Sequence, residues 1–200
     1  MKITYLGHSC FLIEGKEFSV VTDPFADIGY DVERVKADYC TVSHGHFDHN
    51  YTEGVDAGEI ITGSNGPFRA IDSFHDESRG AKRGMNRIFT FTLDGIRFCH
   101  LGDIGEKYSP ALKEKMGKID VLMIPVGDRY TIGYEEALVY VRELAPAIVI
   151  PMHYKTKKCV LDIEGADNFA RFAPRTFYAG RRIELTPEDL AGETKTFVME

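Results

Sequence analysis

Ser43-His44-Gly45-His46-Phe47-Asp48-His49-Asn50 decides how this 200-residue chain is read. Between His44 and His49, four of six side chains can ligate a metal. The stretch follows Tyr39-Cys40-Thr41-Val42, an apolar run that reads as a buried strand. Gly45 marks a tight loop at the strand's end. Such a loop can turn His44 and His46 to one side while Asp48 and His49 reach another. Structural zinc sites use cysteine heavily and close all four positions, and no cysteine occurs here. Imidazole with carboxylate suits a catalytic centre that keeps a position open for water. A charged loop without a metal would leave three imidazoles and a carboxylate in one turn unexplained.

Further along lie a lone histidine in Ser73-Phe74-His75-Asp76, an aspartate closing Ile96-Arg97-Phe98-Cys99-His100-Leu101-Gly102-Asp103, and a histidine after a β-branched run in Ile148-Val149-Ile150-Pro151-Met152-His153-Tyr154. Taken singly these are weak signals, since Asp beside Gly commonly forms a turn and a lone histidine is ordinarily a packing or surface residue.

In series with the cluster they acquire meaning. His-X-His-X-Asp-His after a strand, followed in order by His75, Asp103 and His153, resembles the metallo-β-lactamase superfamily. Gly7-His8-Ser9-Cys10-Phe11 and Asp23-Pro24-Phe25 are similar to the branch that holds ascorbate-6-phosphate lactonase and small metal-dependent hydrolases. The resemblance implies an αββα sandwich, an α/β (α+β) fold of two mixed β-sheets flanked by helices. It implies a first metal site of His44, His46 and His75, a second of Asp48, His49 and His153, and Asp103 as the bridging carboxylate. It gives Asp48 the further catalytic role of holding the attacking water and helping to move its proton, and Asp23 that of orienting a metal-bound histidine. Two of the seven histidines are left over, His8 and His100. His100 competes with His75 for the third ligand place. It stands three residues before Asp103 within a strand, so the two side chains point to opposite faces, and His75 is preferred. His8 either lines the pocket as a substrate-binding residue or packs.

Two divalent ions about 3.5–4 Å apart clamp both the attacking and the leaving oxygen. The ligands suit zinc, with manganese or iron as alternatives. The nucleophile is then a hydroxide formed near neutral pH, and no Gly-X-Ser-X-Gly elbow is present to supply another. Redox relatives usually carry Glu where this chain has His46 and need a flavin domain. Arg79, Lys82, Arg83 and Arg87 follow His75, and Lys155, Lys157 and Lys158 follow His153. Charge runs are usually solvated faces, yet both leave from a ligand position. Arg83 and Lys155 are therefore candidates to bind an anionic substrate, a phosphodiester or a phosphorylated lactone.

Length suits a single domain spanning residues 1–200. The net charge of −7 disfavours a nucleic-acid partner, and with it a nuclease of the same fold. A non-catalytic scaffold would be expected to have lost ligands. No apolar run reaches the length of a membrane helix, and the four scattered cysteines read as reduced core thiols in a cytoplasmic protein. Oligomerisation is left open.

The remaining pattern is β-rich first, then alternating. Strands are expected at 2–7, 10–14, 18–22, 39–42, 59–62, 68–74, 87–93, 96–101, 119–125, 147–150 and 182–185. A loop is expected over 25–35, a short helix and loop over 50–58, and an exposed loop over 77–85. Helices are expected from Ser109-Pro110, over 134–144 and over 162–172.

Overall fold

The structure is a computed structural model describing residues 1–31 and 34–200. Its strands are β1 (Lys2–Gly7), β2 (Cys10–Glu14), β3 (Ser19–Thr22), β4 (Val35–Thr41), β5 (Val55–Ile61), β6 (Phe68–Phe74), β7 (Met85–Leu93), β8 (Ile96–His100), β9 (Val121–Pro125), β10 (Ile148–Met152), β11 (Thr176–Ala179), β12 (Arg182–Glu184) and β13 (Lys195–Met199). The α-helices are α1 (Pro110–Met116), α2 (Tyr134–Leu144) and α3 (Asp167–Phe172). One sheet has the order β12-β1-β2-β3-β4-β5, the other β11-β13-β10-β9-β8-β7-β6. Both are mixed, as the αββα expectation requires.

Period-2 alternation divides the first sheet between two cores. Ile3, Tyr5, Phe11, Ile13 and Val20 join Phe89, Phe91 and Phe98 of the second sheet in the main apolar cluster. Leu6, Cys10 and Val21, on the opposite face, pack instead with Phe25 and Ile28. All buried residues of the three α-helices that belong to a cluster lie in the main one, among them Leu112, Tyr140 and Phe169. Among the described residues the outer cover of the six-stranded sheet is thus a loop, not an α-helix. β9 and β10 are buried at every position, as parallel strands covered on both faces are.

Strand direction positions the site. β1 and β3 are both antiparallel to β2, and β4 is parallel to β3. These three therefore run the same way. In the other sheet β6 and β8 are both antiparallel to β7, while β9 and β10 continue parallel to β8. Each of β1, β3, β4, β6, β8 and β10 is followed, within a few residues, by a polar residue singled out from the sequence: His8, Asp23, the His44–His49 loop, His75, Asp103 and His153.

Several boundaries differ from expectation. β5 begins at Val55 because it pairs with β4 from Val35 onward, so the 50–58 segment is one 3-10 turn followed by strand. Helix α3 starts only at Asp167, since Lys155 N–H donates to Glu164 O and Glu164 N–H to Gly127 O, which holds the preceding residues extended. β11 and β13 were not anticipated. The loop expected over 25–35 includes Val32 and Glu33, which lie outside the described residues.

Candidate metal centre

The loop after β4 is built by Asp23. Its Oδ1 accepts from Ser43 N–H at 2.8 Å, and its Oδ2 accepts from Ser43 Oγ at 2.6 Å and faces His49 Nδ1 at 2.9 Å. A carboxylate only accepts, so His49 carries its proton on Nδ1 and presents Nε2 to the site. The same reasoning reaches His44. Ser43 Oγ donates its one hydrogen to Asp23, so it accepts from His44 Nδ1, 2.9 Å away, and His44 Nε2 carries no proton and faces the site. Ser43 was not anticipated, although it opens the decisive stretch.

Asp103 occupies the middle. Its Oδ1 lies 3.1 Å from His49 Nε2, and its Oδ2 lies 3.2 Å from His75 Nε2, 3.3 Å from His153 Nε2 and 3.8 Å from His44 Nε2. Asn86 of β7 fixes it from behind. Asn86 Oδ1 accepts from Asp103 N–H at 2.9 Å, and its Nδ2 donates to Ser73 Oγ and Leu101 O. A buried asparagine within an apolar strand was the available signal for this support. Gly102 has φ +55, and a Cβ there would stand 2.3 Å from Asn86 Oδ1.

The side chains form two principal groups whose ligand atoms lie within 4.8 Å of one another: His44, His46 and His75, and His8, Asp48, His49 and His153. His44, His49 and Asp103 form a third that joins them. His44 Nε2 and His46 Nδ1 are 3.0 Å apart, close to the roughly 3.3 Å between two nitrogens on one tetrahedral zinc ion. Among the described residues, buried polar atoms without a hydrogen-bond partner concentrate here: both ring nitrogens of His8, His75 and His153, together with His49 Nε2 and Asp103 Oδ1. Buried polar groups are normally satisfied, so this set fits divalent cations.

Electrostatics point the same way. Burial and then the neighbouring His49 lower the His44 pKa to about 3. Burial and then His153 do the same to His8, to about 3. Both rings are neutral and keep lone pairs. Burial also works against charge on Asp103, Asp48 and His49. For Asp103 the facing His153 and His49 outweigh it and hold the carboxyl well below its usual range. For Asp48, His8 and His49 do so. For His49, Asp103 and Asp23 outweigh burial and raise the pKa well above the usual value.

His8, Asp23 and His153 adopt left-handed backbone, with φ of 56°, 38° and 52°. This is uncommon for residues other than glycine and costs on the order of 1–3 kcal/mol each. His153 N–H donates to His8 O at 3.0 Å, joining the ends of β10 and β1 across the two sheets.

A cavity of about 670 Å³ opens over the cluster, lined by His46, Asp48, His75, Asp103 and by Phe47, Arg83, Tyr130 and Leu161. Arg83 is held by Asp76, whose carboxylate accepts from the backbone N–H of Ser78, Gly80, Lys82 and Arg83. The Arg83 guanidinium donates to Arg129 O and lies over the Tyr130 ring. Lys155 departs from expectation. It does not line this cavity; its ammonium donates to Leu161 O at 2.6 Å, and the residue borders a separate pocket with Tyr154, Tyr178 and Glu200. His100 hydrogen-bonds through Nε2 to Ser9 O at 2.9 Å and through Nδ1 to Gly102 N–H at 3.2 Å, in keeping with its packing role. Phe47, Tyr130 and Leu161 carried no chemical signal in the sequence.

Two layered sheets thus carry, at their strand ends, a histidine–aspartate cluster whose donor set suits divalent metal ions. A model described as "Beta-lactamase superfamily domain" matches residues 2–153, and the chain belongs to that superfamily. It is 34% identical over 195 residues to a "UPF0173 metal-dependent hydrolase" of Desulforamulus reducens, covering 78% of this chain and 85% of the relative. It is 31% identical over 199 residues to a protein of the same description from Archaeoglobus fulgidus, covering 78% and 84%. Among solved structures, a Thermotoga maritima protein of the metallo-β-lactamase superfamily is similar with a TM-score of 0.83 and 35% identity, over 99% of this chain and 97% of that one. No helix among the described residues is long and apolar enough to cross a membrane.

Proposed function

We propose that this metal-dependent hydrolase cleaves an ester-type bond in a small anionic substrate, a phosphodiester or a phosphorylated lactone, with two divalent ions, zinc foremost. The observation that carries the reading is Asp103, whose two oxygens face His49 on one side and His75 on the other. Two ions held by the groups on either side would activate water at neutral pH and polarise the scissile oxygen.

His44, His46 and His75 would hold one ion, and Asp48, His49 and His153 the other, with Asp103 available to both. Asp48, held ionised beside His8 and His49, lines the cavity and accepts a hydrogen bond from the attacking water, orienting it and receiving its proton. Arg83 reaches the same cavity and pairs with the substrate's anionic group. Phe47 and Tyr130 supply an apolar rim for the rest of the molecule.

The test is a substrate panel of an activated phosphodiester, a lactone and a carboxyl ester, offered to zinc- and manganese-loaded protein with folded Asp48→Ala protein as the blank. Hydrolysis of at least one that vanishes in the variant is expected. Equal rates with wild type and variant on all three would refute the proposal.

A further inference from the structure

The two histidines left outside the superfamily pattern behave differently. His100 is fully buried and bonded through both ring nitrogens, as an ordinary core histidine is. His8 is just as buried, yet neither of its ring nitrogens has a hydrogen-bond partner among the described residues. It shares that condition with His75 and His153, both taken above as ligands. Its Nε2 faces Asp48 Oδ2 at 3.4 Å, long for a hydrogen bond to a carboxylate. Its ring centroid is 4.1 Å from that of His153 and 5.1 Å from that of His49. A ligand atom of His8 lies within 4.8 Å of those of Asp48, His49 and His153, all of one another. Its left-handed backbone, tied to His153 by the 3.0 Å bond between their main chains, directs a side chain from the end of β1 into a site otherwise drawn from β4, β8 and β10.

We infer that His8 is a direct ligand of the second metal ion, completing a His8, Asp48, His49 and His153 set with Asp103 shared between the ions. The inference rests on the two-metal reading above. The second ion is then held by four side chains besides the shared carboxylate, and the first by three. The more open first site is left to receive substrate from the cavity, which His46 and His75 line and His8 does not.

Cobalt-loaded protein carrying 15N-histidine separates ligation from mere positioning, because only a coordinated imidazole nitrogen carries a contact shift through the metal–ligand bond, and it is the contact-shifted rings that are counted. Wild type should show six shifted imidazoles of its seven. His8→Asn, chosen because asparagine tolerates left-handed backbone, should show five and bind its second cobalt equivalent at least about 100-fold more weakly, beyond the range that loss of an outer hydrogen-bond partner produces. His100→Gln keeps six histidines, and all six should shift, which tests His8 by elimination even if His8→Asn fails to fold. Five shifted imidazoles in both wild type and His100→Gln would overturn the inference and leave the two-metal reading standing. Wild-type protein that binds no cobalt would overturn the reading itself.

Discussion

Asp103 Oδ1 stands 3.1 Å from His49 Nε2, while the other nitrogen of that ring is held 2.9 Å from Asp23 Oδ2. One imidazole is thus clamped between two buried carboxylates, and Asp23 decides which nitrogen faces the site. Replacing Asp23 with Asn keeps the shape but puts an amide where donors must be accepted. Metal affinity should fall about 10–100-fold, the usual effect of losing a ligand's outer partner. Competition against a chelator checks this, and an affinity within about twofold of wild type would contradict it.

The same clamp gives the metal-free protein a pH signature. His8 and His44 have folded pKa values lowered to about 3, so the unfolded chain takes up protons from about pH 6.5 downward that the folded chain refuses. Stability is full above that point and falls toward pH 3, by up to about 1.4 kcal/mol per pH unit for each ring. His49 has the opposite sign. Its pKa is raised, so its contribution is full below about 6.5 and is lost as pH rises through its folded value. Urea unfolding of chelator-treated protein should therefore show a maximum near pH 6.5. Stability unchanged between pH 6.5 and 5 would contradict the assignment.

Gly102 lets Asn86 grip Asp103. A Cβ there would meet Asn86 Oδ1 at 2.3 Å and Ser43 Cβ at 2.7 Å, at φ +55. Gly102→Ala should destabilise the protein by about 2–3 kcal/mol and weaken metal binding with it, measured by chemical denaturation and metal titration together. Unchanged affinity in a folded Gly102→Ala protein would show that Asp103 does not depend on this support.

Arg83 and Lys155 separate in their consequences. Arg83 lines the cavity, so Arg83→Ala should raise KM for an anionic ester by about 10-fold or more, a charge-assisted contact being worth about 1.5–3 kcal/mol, and leave a neutral ester's KM nearly unchanged. Lys155 is turned to Leu161 O, and Lys155→Ala should leave both constants close to wild type. Equal losses in the two variants would contradict this division.

The site was legible where chemistry is written locally. His44, His46, Asp48 and His49 share one loop, and His75, Asp103 and His153 each follow an apolar run, so strand ends could be read directly. Strand 68–74 and helix 134–144 have the bounds their periodicity predicts. What escaped depends on distant pairing. β13 enters between β10 and β11, and nothing within Lys195–Met199 announces a parallel partner at Ile148. Lys155 looked like a pocket cation because it follows His153, but main-chain bonds to the 164 segment turn it away. His8 could not be settled from its neighbours in sequence, since its partners come from three other strand ends.

The most direct test of the central claim is stepwise reloading of stripped protein with zinc, following hydrolysis of the best panel substrate at each addition. Two tight equivalents per chain are predicted, with hydrolysis reaching its full rate only as the second is filled. Full activity at one equivalent, with no second tight site, would contradict the two-metal account.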